Sequence, residues 1–254
     1  MRLHRSALFV QNKFTVVRDE PYLLLPVAAQ MGPNWTFGEM GAVGTHWVNV
    51  WTPKVLNAHY GQVDTDGHPQ ARIATAAKDL LIWFAPDTNS TLQVEKLKHE
   101  RTLNPMYNAL NSWINLPMRA RYTRTNAQWS TETQKGFTTV LMPHDPLPGA
   151  AVHALAGSIE LVQDTVQCTA LTISDSKTTD LLVMQSAHGR PTTVAFPLPA
   201  SIADVPSNPQ PGITLTTDGE AALLTYGSDG SLVHIAVWNV SSLSINRQTY
   251  LQAS

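Results

Sequence analysis

About fifteen segments of this chain alternate apolar and polar residues with a period of two, and turn-forming residues separate them. That pattern constrains the fold more than any other feature, because alternating side chains suit strands with one buried face. The segments are Ser6 to Val10, Phe14 to Arg18, Leu23 to Ala29, His46 to Trp51, Asp79 to Phe84 and Leu92 to Lys98. They continue with Arg119 to Arg124, Gly136 to Met142, Ser158 to Val162, Thr165 to Ile173 and Asp180 to Gln185. Thr192 to Phe196, Ile213 to Thr217, Ala221 to Tyr226 and Leu232 to Trp238 complete the series. "GSDGSL", between "AALLTY" and "VHIAVW", is the strongest hairpin signal, since Gly and Asp tolerate the positive φ of a tight turn. "VQDTVQ" and "DSKTTD" carry the same signal more weakly.

Helix is scarce. "NPMYNALNSWINLP" is the best candidate, with Asn104 as cap, Pro105 at the first helical position and Pro117 as terminator. "MGPNWTFGEMGAVGT" and "PLPASIADVPSNPQPG" read as long loops, the second with five prolines that resist sheet pairing. So many strands exceed a simple immunoglobulin-type sandwich. The expected fold is therefore all-β: a large antiparallel two-sheet β-sandwich, with at most one or two short helices. One domain would span residues 1–254, with a candidate sub-boundary in the Pro-rich segment 197–212.

Composition excludes several function classes. Charged residues make up 14% of the chain, against roughly 25% in ordinary soluble domains. Net charge is −2 and Lys and Arg are scattered, so neither nucleic acid nor an anionic membrane finds a basic footprint. No apolar run is long enough for a transmembrane helix, and the early "ALFV" is too short for a signal-peptide core. The single cysteine, Cys168, allows no intramolecular disulfide and no thiolate metal centre; inside "TVQCTALTI" it reads as a buried structural thiol. No Walker loop, Rossmann fingerprint or nucleophile elbow is present, and no cofactor is implied. The sequons at Asn34, Asn89 and Asn239 matter only in a eukaryotic secretory setting.

Five stretches could carry chemistry, and each also has a plain structural explanation. In "GTHWVNVW", Trp47, Asn49 and Trp51 share one strand face and could contact sugar rings; as large aromatics they also suit a core. "GPNWTFGEMG" places Trp35 in a Gly-rich loop, either a binding loop or a plug over a sheet edge. "MPHDP" places His144 beside Asp145, as an oriented histidine or simply a turn between prolines. "NAHYGQVDTDGHPQ" gathers His59, Asp64, Asp66 and His68, the densest set of hard ligands and otherwise a solvated hairpin tip. "ARYTRT" puts Arg119 and Arg121 on one face and Tyr122 and Arg124 on the other. Paired arginines suit the carboxylates or sulfates of acidic sugars, although an exposed sheet face would look the same.

The opening stretch "ALFVQNKFTVVRDE" resembles the start of the β-sandwich half of heparinase II/III-like polysaccharide lyases, in Arg5, Phe9, Val10, Phe14, Val16, Val17, Arg18 and Asp19. "FTTVLMPHDP", "DLLVMQSAHG" and "EAALLTYGSDGSLVHIAVWNVSSLSIN" resemble later strands of that half, in the same order. The resemblance implies a sandwich that normally follows an α/α toroid, acidic polysaccharides as substrates, cleavage by β-elimination, and a periplasmic or extracellular location. It also implies that most catalytic residues lie on the toroid, to which nothing here corresponds. Where members carry a His-x-His stretch, this chain reads "LLLPVAAQMGPNW", so no metal site is carried over. The expectation is a carbohydrate-associated module that is not catalytic alone, partnered by a polysaccharide or by a separate toroid, with homo-oligomerisation open. The alternatives are a lyase, using His46 or His144 as base and Tyr60, Tyr107 or Tyr122 as acid, or a structural assembly module.

Overall fold

The computed structural model describes residues 2–22, 27–37, 46–51, 62–63, 79–96, 118–129, 135–145, 147, 149–187, 191–197 and 212–252. The described residues are mostly β with one short helix, as the alternation leads one to expect, and their strands form several sheets, none closed into a barrel.

The first sheet has six strands: β1 (Arg2–Val10), β2 (Phe14–Tyr22), β10 (Phe137–His144), β7 (Asp79–Phe84), β5 (His46–Trp51) and β6 (Gln62–Val63), in that spatial order. Its β5–β7 pair is parallel. A second sheet orders β11 (Ile159–Asp164), β12 (Cys168–Ser174), β13 (Thr178–Gln185), β16 (Ala221–Gly227) and β17 (Leu232–Trp238). A third contains β14 (Thr192–Pro197), β15 (Gly212–Thr217), β18 (Ser242–Ile245) and β19 (Gln248–Gln252). In the fourth, the long β9 (Met118–Trp129) pairs with β3 (Val27–Met31), β4 (Asn34–Phe37) and β8 (Ser90–Lys96).

Successive residues of a strand point to opposite faces, and this lets the sheets stack. On β7, Leu81 and Trp83 enter the core shared with the second sheet, while Ile82 and Phe84 enter the core shared with the fourth. On β13, Leu182 and Met184 face the first sheet, whereas Leu181 and Val183 face the third. The first and second sheets are thus covered on both sides, with three apolar cores between four layers. Inner strands read as continuous apolar runs such as "LLIWF" and "LLVM". Outer strands keep the alternation: in β14 the buried Thr192, Val194 and Phe196 are interleaved with exposed neighbours.

The face-to-face antiparallel packing is as expected from the sequence, with the strands spread over more sheets than two. Each expected strand segment carries a strand, with bounds shifted by a few residues. Thr165 is the clearest shift, since its hydroxyl accepts from the Gln167 and Cys168 N–H groups and closes a turn before β12 begins. The "GPNWTF" loop needs correction, because residues 34–37 form β4. The pairing of β3 and β4 with β9 keeps one register across the interruption, with Met31 opposite Arg124 and Asn34 opposite Arg121. Between them Pro33 has no N–H to give, yet its carbonyl still accepts from the Tyr122 N–H at 3.1 Å. Gly32 is required there, since a Cβ would meet the Tyr122 carbonyl oxygen at 1.9 Å.

The helix expected at 104–117 lies outside the described residues. A short helix, Gly149–Gly157, instead buries Val152 and Ala156 in the core between the first and second sheets. The strands flanking the Pro-rich segment, β14 and β15, pair directly with each other, from Thr192 opposite Thr217 to Pro197 opposite Gly212.

Candidate functional site

The β1–β2 hairpin turns through Gln11, Asn12 and Lys13, with Asn12 at φ 61° and the Lys13 N–H donating to the Val10 carbonyl at 3.1 Å. Its register sets Arg5 directly opposite Asp19. The side chains form a two-pronged ion pair, with Arg5 Nε donating to Asp19 Oδ1 at 2.6 Å and Nη2 to Oδ2 at 2.9 Å. Asp19 is 2% exposed and Arg5 45%, so the pair runs from the protein interior to solvent. The Asp19 hydrogen bond raises the Arg5 pKa above the ordinary arginine value, against the lowering effect of burial.

Arg18, the neighbour of Asp19, points the other way. It is fully buried between the first and second sheets. Its Nε donates to Glu20 at 2.7 Å, Nη1 donates to the Thr169 hydroxyl, and Nη2 reaches the Thr165 carbonyl at 3.2 Å. Thr169 in turn donates to Asp164, which also pairs with Lys135 at 2.6 Å. The dipeptide Arg18-Asp19 therefore serves two interfaces at once.

On the Asp19 side a cavity of about 510 Å³ opens between the β1–β2 hairpin and the fourth sheet, within the range usual for small-molecule sites. Its polar wall comprises Arg5, Asp19, Gln30, Asn34, Arg121 and Thr123, with Met31 and Phe137 among its apolar groups. It lies where Gly32-Pro33 interrupts the strand pairing. The Gln30 amide donates to Thr123 Oγ1 at 2.8 Å. Arg121 has no hydrogen-bond or ion-pair partner among the described residues, and is half-buried at the cavity wall. Arg5 is neutralised by Asp19, so the described charges lining the cavity leave one positive charge, on Arg121.

Trp35 supports this wall. The Arg5 guanidinium carbon lies 4.9 Å from its ring centroid, and its indole N–H donates to Thr139 Oγ1 at 3.3 Å. That ring face is occupied by Arg5 and carries the cation, instead of being a free platform for a sugar.

The opposite face of β9 is structural. Tyr122 is buried and stacks on Phe84, with ring centroids 4.8 Å apart. Its hydroxyl accepts from the Asp87 N–H at 3.0 Å and donates to the Ala85 carbonyl at 3.3 Å, and burial raises its pKa. The hydroxyl of this acid candidate is thus enclosed, with one group donating to it and one accepting from it. Arg124 lies over Phe137 at 4.6 Å and donates to Asp87. Burial alone would raise the Asp87 carboxyl, but the Asn89 N–H, the Arg124 charge and the Ser90 hydroxyl outweigh it and hold the pKa below the usual carboxylate range.

His46, Trp47, Asn49 and Trp51 lie on β5, where Asn49 is in register with Leu81 and Trp51 with Trp83. Arg119 lies on β9, in register with Thr36 and Glu95. His144 ends β10, with Nδ1 2.7 Å from the Asp145 carbonyl oxygen. Phe137 at the cavity begins the same strand, so at about 3.3 Å per residue His144 sits roughly 23 Å along it from the cavity wall. His59, Asp64, Asp66 and His68 lie outside the described residues, as do Tyr60 and Tyr107. Among the described residues no three His, Cys, Asp or Glu side chains gather as a metal site would require. No described helix is long and apolar enough to cross a membrane.

Of the expected binding residues, the structure brings Arg121 to the cavity and Trp35 behind it. Sequence reading missed Asp19, Gln30 and Asn34 as wall residues and treated Arg5 only as part of a motif. The Arg5–Asp19 pairing was open to counting, because a three-residue turn closed by Val10 and Phe14 fixes every pair of the hairpin. No protein-family model matches the chain, and no curated protein matches it significantly.

Proposed function

We propose that this chain is a carbohydrate-associated β-sandwich module, of the kind found in the C-terminal part of heparinase II/III-like polysaccharide lyases, and that the cavity between the β1–β2 hairpin and the fourth sheet holds an acidic sugar. The observation that carries this reading is Arg121, a half-buried guanidinium in a concave site without a counter-charge among the described residues. An arginine in that position is suited to paired hydrogen bonds with a carboxylate. Gln30, Asn34 and Thr123 offer the neutral donors and acceptors that sugar hydroxyls require. Trp35 and Asp19 hold the Arg5 guanidinium in place, so little side-chain freedom is lost when a ligand meets it.

Among the described residues, neither His144 nor Tyr122 stands at this cavity as a base or acid for elimination. Elimination needs a base beside the cation that neutralises the sugar carboxylate. His144 stands at the far end of β10 and Tyr122 is enclosed in the core. The test is calorimetric titration of the purified chain with a uronate-containing oligosaccharide and its neutral analogue. The uronate should bind, the neutral sugar should bind at least about tenfold more weakly, and Arg121→Gln should abolish the difference. Equal binding of both sugars, or a difference that survives in R121Q, would refute the assignment. Release of unsaturated products during the titration would favour a lyase instead.

A further inference from the structure

We infer that Asp19 limits this cavity to ligand groups carrying a single negative charge, and so makes it selective for an unsulfated uronate over a sulfated one. The inference rests on the binding reading above. Arg5 and Arg121 both line the cavity, and two guanidinium groups would ordinarily suit a dianion. Asp19 removes that possibility from within. Both its oxygens are committed to Arg5, at 2.6 and 2.9 Å, and it is 2% exposed, so water does little to screen it. One uncompensated positive charge then remains among the described lining residues, on Arg121.

A carboxylate meeting Arg121 completes the charge balance. A second anionic group in the same cavity would meet an Arg5 whose charge Asp19 already balances, so it would lose its hydration without gaining a net counter-charge. Arg5 still contributes. Its Nη1 is not used in the pair with Asp19, so it can donate to a hydroxyl or share the ligand carboxylate without carrying a net charge to the site. Asp19 is therefore a specificity-determining residue that acts through Arg5.

The experiment is a calorimetric series on the intact chain with three disaccharides: a neutral one, one with a single uronate carboxylate, and the same uronate carrying an added sulfate. In the unaltered protein the unsulfated uronate should bind tightest, and the sulfate should weaken binding by about tenfold. In Asp19→Asn the order should reverse, because Arg5 is then released as a second cation. Tighter binding of the sulfated sugar by the unaltered protein would overturn the inference while leaving the acidic-sugar reading intact. An unchanged order in a folded D19N would also overturn it. If neither charged sugar binds better than the neutral one, the cavity does not bind anions and both ideas fall. Should D19N not fold, the series on the unaltered protein decides by itself.

Discussion

Arg18 and Arg121 occupy opposite sides of the first sheet, and their surroundings differ in every respect that matters to an ion. Arg18 is sealed between two sheets, with Glu20, Thr169 and the Thr165 carbonyl accepting from it and Asp164 close by. Arg121 stands at the wall of a cavity, half-buried, with none of these. The first arrangement is what a charge needs if it is to be kept from water permanently. The second is what a charge needs if it is to be offered to something else. The interface with the second sheet is thus closed by polar groups, while the interface with the fourth sheet is left open by them.

Substitutions that remove one side of this contrast at a time should separate folding from binding. Arg18→Ala should have the largest effect on stability. It takes from Glu20 the cation that it pairs with at a buried interface and leaves the space of a fully buried guanidinium unfilled, and the unfolding free energy in denaturant should fall by about 3–5 kcal/mol. A loss below about 1 kcal/mol would mean that water reaches this cluster. Gly32→Ala comes next. Its new methyl group would collide with the Tyr122 carbonyl, forcing β3 and β4 away from β9, at a cost of about 2 kcal/mol or more by the same measurement. An unaltered melting curve would show that the interruption in this pairing is not fixed as described.

Asp87→Asn should be milder and should reveal itself through pH. The Asp87 carboxyl is held below its unfolded value of about 3.9, so its contribution is complete above that pH and is lost as pH falls through the folded value. The variant should lose about 1–2 kcal/mol at neutral pH and show a shallower decline on acidification than the unaltered chain. Parallel declines would assign the acid sensitivity to other carboxylates. Arg121→Gln should change stability least, by no more than about 0.5 kcal/mol, because no protein partner among the described residues is lost. A large destabilisation would place Arg121 with Arg18, as part of the framework, and end the contrast.

How far the sequence discloses this arrangement depends on which faces of a strand are covered. The outer strands announce themselves, since "TTVAFP" and "GITLTT" alternate as half-buried strands should. The inner strands announce only that they are strands. "DLLIWF" and "AALLTY" are apolar at nearly every position, which indicates cover on both faces without saying by what. The helix Gly149–Gly157 escapes notice because it is short and rich in small residues, with glycine at each end, and its apolar stripe is no more than Val152, Leu155 and Ala156. Arg121 is legible as one of an alternating pair. The cavity is not, because its walls come from β1, β2, β3, β4, β9 and β10, and no local pattern joins Asp19 to Asn34.

The doubly covered strands raise a difficulty that the half-covered ones do not meet. When one face is wet, sliding a strand by one residue turns its apolar row into water, and the error corrects itself. When both faces are dry, the slide merely exchanges one apolar row for another, as Leu81 and Trp83 would change places with Ile82 and Phe84. Hydrophobicity then cannot tell the right alignment from the wrong one. The buried polar contacts can: Asp180 held by Lys13 and Thr225, Gln185 donating to the Thr217 carbonyl, and Arg18 donating to Thr169. Each is met in one alignment and orphaned in the next, so a few polar side chains serve as the index marks by which greasy strands find their place.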